Sequence, residues 1–62
     1  MCEATAYLMR DGQEEMVMES VDILEPEDGQ LRMINVFGEE KKLKARVKGF
    51  SLVDHKIILE PL

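Results

Sequence analysis

Two Asp-Gly dipeptides, Asp11-Gly12 and Asp28-Gly29, constrain this 62-residue chain more than any other feature. Each lies between runs in which apolar and polar residues alternate. Glycine adopts positive φ at no steric cost, so Asp-Gly in such a setting is a strong hairpin signal. Proline at position 26 presets the second turn. Further turn signals come at Gly38-Glu39-Glu40 and Gly49-Phe50-Ser51. The chain is thus punctuated about every ten residues, the spacing of short antiparallel strands.

The runs between these turns read as strands. Residues 1–9 place Cys2, Ala4, Ala6 and Leu8 on one face and Glu3, Thr5, Tyr7 and Met9 on the other, because side chains alternate along an extended chain. Residues 14–25 carry Met16, Met18, Val21 and Ile23, with the period slipping by one near Glu19-Ser20. That slip predicts a bulge or sharp bend. Helix competes here, since Glu and Met are good helix formers; the alternation of Val21-Asp22-Ile23 and the flanking turns favour strand. Residues 30–37 are rich in β-formers and read as a central strand. Residues 41–47 alternate cleanly, with Leu43, Ala45 and Val47 inward and Lys42, Lys44 and Arg46, then Lys48, outward. Gly49-Phe50-Ser51 breaks the run as a single helical turn. Residues 52–60 form the last strand, which Pro61 stops. The expected fold is one all-β domain over residues 1–62, a small five-stranded antiparallel barrel of SH3-like or Sm-like type.

Length adds a second constraint. A chain this short buries only roughly 60% of its unfolded surface. Such domains usually add disulfides, a structural metal or a partner subunit. One cysteine excludes an intrachain disulfide, which leaves metal or self-association. A lone thiol fits a reducing compartment. No apolar run approaches the ~20 residues of a membrane helix, and the N-terminus lacks the regions of a signal peptide. The expected location is the cytoplasm. The net charge of −5 disfavours nonspecific nucleic-acid binding. Yet five of the eight basic residues fall within positions 41–48.

Three features could carry chemistry. Cys2 is open to three readings: a small buried hydrophobe, a nucleophile in need of a nearby base, or a ligand for a soft or late divalent metal. Its thiolate and its own backbone nitrogen form a compact chelate that suits square-planar Ni(II) or Cu(II). Two copies across a twofold axis would supply two such pairs. His55 is the one candidate base. In a strand its neighbour Asp54 points to the opposite face and cannot orient it, so a structural role is the more economical reading. Lys42, Lys44, Arg46 and Lys48 form a basic stripe on one strand that could follow phosphates. The stripe lacks the interleaved aromatics on which single strands stack, and charges of this kind also guard sheet edges. No phosphate-binding loop, paired-carboxylate site or nucleophile triad is present in the sequence, so nothing indicates an enzyme.

Met1-Cys2-Glu3-Ala4-Thr5-Ala6-Tyr7, Val36-Phe37-Gly38-Glu39 and Leu52-Val53-Asp54-His55-Lys56-Ile57 together resemble the CooT-like family, over essentially the whole chain. The resemblance implies a very small β-barrel homodimer that binds nickel as an accessory protein of carbon monoxide dehydrogenase. It implies that Ni(II) binding depends on the cysteine directly after the initiator methionine, here Cys2; the backbone of the adjoining Glu3 is a further candidate donor. Many relatives are labelled as predicted RNA-binding proteins, a label that follows the fold. RNA binding through the basic strand is the alternative function that the resemblance carries. His55 matches the family pattern, but no metal role is placed on it.

Overall fold

A computed structural model describes residues 4–62, which form six strands and no helix. They are β1 (Ala4–Arg10), β2 (Gln13–Glu27), β3 (Gln30–Asn35), β4 (Glu40–Leu43), β5 (Ala45–Ser51) and β6 (Lys56–Pro61). All six belong to one sheet, in the order β4-β3-β2-β1-β6-β5. The sheet curls into a half-barrel. Its two outer strands follow one another in the chain, β3 touches β5, and the Leu62 N–H donates to the Lys44 carbonyl at 3.2 Å.

Both Asp-Gly pairs are hairpin turns. Asp11 and Gly12 have φ of 52° and 77°, and Asp28 and Gly29 have 49° and 77°. Positive φ at both central positions is a type I′ turn, whose twist matches that of the strands it joins. The slip expected near Glu19-Ser20 is also present. Ser20 has φ of 52°, and Ala4 opposes Val21 while Ala6 opposes Met18. Further irregularities follow at Val17 and Asp22. They bend β2 so that its first half lies along β1 and its second along β3.

The expected architecture is all-β, as found, but it departs from the expectation in three places. Residues 41–47 do not make one strand: the chain bends at Lys44, leaving β4 and β5 on either side. The curled sheet has to turn a corner there, and the Leu62 hydrogen bond holds the corner. The sheet is mixed, because β1 and β6 are parallel. This follows from counting. β4 and β5 run on in one direction, so the chain passes back and forth in five directions. The first and fifth point the same way, and closing them on each other must be parallel. Finally, residues 52–55 are a turn rather than the start of the last strand, and Gly49, Phe50 and Ser51 continue β5 instead of forming a helical turn.

The core lies on the concave side. Ala6, Met33 and Leu59 have no exposed surface, and Leu8, Met18, Val21, Leu31, Ala45 and Ile57 are nearly as buried. Ala6 and Leu8 occupy the face of β1 that alternation assigned to them. Complete burial of Met33 and of Leu59 stabilises the fold by about 1.5–3 kcal/mol each.

Candidate functional site

Met1, Cys2 and Glu3 lie outside the described residues. What is described is the anchor from which they extend. β1 begins at Ala4, which opposes Val21 of β2. The next residue, Thr5, donates its N–H to the His55 carbonyl at 2.9 Å and stands beside Lys56 of β6. The backbone that carries Cys2 is therefore clamped between strands two residues later.

The β6 side of the clamp is a short turn. The Ser51 hydroxyl donates to the Asp54 carboxylate at 3.3 Å and accepts the Asp54 N–H at 3.3 Å. His55 then takes φ of 54° and sends the chain into β6. The sequence places His55 in a strand; the turn puts it in the left-handed region instead, where its carbonyl accepts the hydrogen bond from β1. Asp54 bonds Ser51 and does not orient the imidazole. Ala4, Phe50, Leu52, His55 and Ile57 line an apolar hollow of about 430 Å³ beside this anchor. Phe50 is 65% exposed, Leu52 86% and Val53 88%. Three large apolar side chains are thus left in water around this turn.

A polar clasp crosses the three strands on the other face. Lys56 Nζ of β6 donates to the Glu14 carboxylate of β2 at 3.1 Å and lies 5.0 Å from the centre of the Tyr7 ring on β1. The hydrogen bond to Glu14, and then its charge, raise the Lys56 ammonium above the ordinary lysine value. Farther along the sheet Arg32 bridges Glu25 at 2.6 Å and Glu40 at 2.7 Å. Glu40 first and Glu25 after it hold the guanidinium above its ordinary value.

Lys42, Lys44, Arg46 and Lys48 are all exposed, alternating with the more buried Leu43, Ala45 and Val47. Lys42 lies on β4 and pairs with Glu27 at 3.5 Å. Lys44 sits at the bend, and Arg46 and Lys48 lie on β5. Arg46 is 3.5 Å from Glu60. The track that a phosphate backbone would follow is therefore partly neutralised, at Lys42 and at Arg46. Among the described residues no three His, Cys, Asp or Glu side chains come together in a way that could hold a metal ion.

Sequence reasoning missed Asn35. It is 4% exposed and is the one buried polar residue described. Its Oδ1 accepts the N–H of Phe37 at 3.0 Å and of Glu39 at 2.9 Å, and its Nδ2 donates to the Glu39 carboxylate at 2.7 Å. The signal was there, in an Asn three residues before Gly38, where a side chain can bond its own backbone two residues on. The β-forming Val36-Phe37 pair concealed it by seeming to prolong the strand.

Residues 1–60 match the family described as CO dehydrogenase accessory protein CooT. A crystal structure of a protein assigned as CooT in Carboxydothermus hydrogenoformans is 43% identical, with a TM-score of 0.92 and 98% of each chain covered. No curated protein matches.

Proposed function

The chain belongs to the CooT family of CO dehydrogenase accessory proteins, and from that premise we propose that it carries Ni(II) for such an enzyme, with Cys2 as the residue that holds the ion. An accessory role, rather than catalysis, is what the family shows. One observation carries the reading furthest: the family match spans residues 1–60 and so includes Cys2, just ahead of a clamped strand.

The chemistry fits the cargo. A d⁸ Ni(II) ion favours four strong donors in a plane. Cys2 offers a thiolate and its own nitrogen, which close a five-membered ring. That nitrogen is an amine if Met1 is removed and an amide if it stays. Two chains meeting across a twofold axis complete the plane. The apolar hollow beside Ala4, with Phe50, Leu52 and Val53 around it, supports a second copy as the partner. The cytoplasm, where a lone thiol stays reduced, is the compartment this reading requires.

Nickel titration tests it. The expected stoichiometry is one ion per two chains, with thiolate-to-nickel charge-transfer absorption in the near ultraviolet. Binding weakens as pH falls, because protons compete for both donor types. Cys2→Ser abolishes binding and leaves the sheet folded, while His55→Ala changes it little. Tight binding retained by Cys2→Ser, or one ion per chain with no thiolate band, overturns the reading.

A further inference from the structure

A different edge of the sheet is left open. β2 is the longest strand, and β3 covers its outer edge only from Val21 to Glu27. Before that it pairs with β1 alone, so along residues 13–19 one side of its backbone meets no other strand among the described residues. The hairpin fixes which groups face outward. Arg10 and Gln13 close the two-residue loop as a hydrogen-bonded pair. The pairs Met9–Glu14 and Tyr7–Met16 are then non-hydrogen-bonded, and Glu14 and Met16 turn their N–H and C=O groups away from β1.

Protein edges are normally blunted or covered. Here the cover is one side-chain tip: Lys41 Nζ donates to the Val17 carbonyl at 3.0 Å. Met16 is 57% exposed beside it. Across a cleft of about 470 Å³ stands Phe37, 74% exposed, with Glu19, Glu39 and Glu40 along the rim. The Phe37 wall is preformed, because its N–H is held by the buried Asn35. Three carboxylates face one ammonium. Glu40 is engaged by Arg32 and Glu39 by Asn35, whereas Glu19 has no ion-pair or hydrogen-bond partner among the described residues.

We propose that the outer edge of β2 around Glu14, Met16 and Glu19 docks an extended, basic segment of a partner protein as an added strand. Backbone pairing provides the affinity in this mode, and alternate side chains the specificity. Aliphatic side chains of the segment pack between Met16 and Phe37. Its lysines or arginines face Glu19 and Glu39, and one of its N–H groups takes the Val17 carbonyl from Lys41. The acidic rim selects the occupant. Nickel plays no part in this docking, so its success or failure is separate from that of the metal reading.

The test uses the full chain, ¹⁵N-labelled and free of metal, titrated with two short capped peptides, one alternating Lys with Val and one alternating Glu with Val. The Lys–Val peptide is expected to shift the amides of residues 14–19 and 37–41 and to slow exchange of the Met16 N–H. The Glu–Val peptide does neither. Glu19→Lys weakens the Lys–Val complex about tenfold or more, equivalent to about 1.4 kcal/mol. Met16→Lys, an edge-blunting change at a second exposed position, weakens it as well. Equal binding of the two peptides overturns the proposal. So do shifts confined to residues 50–57, shifts that follow protein concentration rather than peptide, and the absence of any shift at about 1 mM peptide.

Discussion

At one side of the sheet the chain leaves β3 through Asn35 and turns at residues 36–39; at the other it leaves β5 through Ser51 and turns at residues 52–55. Both turns push apolar side chains into water, Phe37 in the first and Leu52 and Val53 in the second. Their fastenings differ. The first is tied by a buried amide making bonds of 2.7, 2.9 and 3.0 Å. The second is tied within itself by two exposed contacts of 3.3 Å between Ser51 and Asp54, long for bonds involving a hydroxyl, and ends in a histidine in a conformation that L-residues avoid, whose carbonyl alone fastens it to Thr5 of β1. An apolar side chain on a fixed turn is a wall against which something of matching shape can lie, with little further ordering to be done. On a loosely tied turn it can repack against a partner, and the ordering happens on association.

The largest effect that could break this contrast is Asn35→Ala. It removes three hydrogen bonds at a buried position and is expected to cost about 2–3 kcal/mol in urea unfolding. Ser51→Ala at the other turn should cost less than about 1 kcal/mol. Equal losses would erase the distinction. Next comes association. Leu52→Ser combined with Val53→Ser is expected to convert the dimer proposed above to a monomer in light scattering, with little change in monomer unfolding. Phe37→Ser should leave the mass alone. The reverse pattern would move the self-association surface to the β3 side.

A smaller effect sharpens the account of the loose turn. His55→Gly relieves about 1–2 kcal/mol of left-handed strain and adds about 0.5–1 kcal/mol of unfolded-state freedom. A net gain of about 0.5 kcal/mol in urea unfolding is expected. A loss would mean that the imidazole makes a contact worth more than the strain. The smallest effect concerns the clasp. Lys56 is raised above its ordinary value by Glu14, so the folded state holds that proton more tightly than the unfolded one. The stabilisation is complete below the ordinary lysine value of about 10.4 and is lost as pH rises through the elevated folded value. Glu14→Gln should lower the unfolding midpoint slightly at neutral pH and not at all above the lysine range.

How much of this was legible in the sequence depends on how local each cause is. The Asp-Gly hairpins and the slip at Ser20 are decided by a few neighbouring residues, and they were readable. Ala6 and Leu8 were readable as core because alternation is also local. The bend at Lys44 was not, because residues 41–47 alternate without a break. What imposes the corner is Leu62, far along the chain, together with the curl of the whole sheet. His55 has no glycine or asparagine to announce a left-handed residue, and the β-forming residues on both sides of it read as strand. Cys2 was singled out by its chemistry and by the resemblance, neither of which depends on the fold. The hollow beside its anchor was invisible beforehand, since Ala4, Phe50 and Leu52 are brought together only when β1 meets β6.

That meeting has a consequence in time as well as in space. β1 is the first of the described strands to be synthesised, and its neighbour β6 is the last. Until β6 has emerged, β1 has a partner on one side only, and Thr5 has no carbonyl waiting for it. Pairings this distant in sequence close late, since the entropy of the intervening loop must be lost before any contact forms. The start of β1, at Ala4 and Thr5, is therefore completed only after the four intervening strands have been made and β6 has joined it.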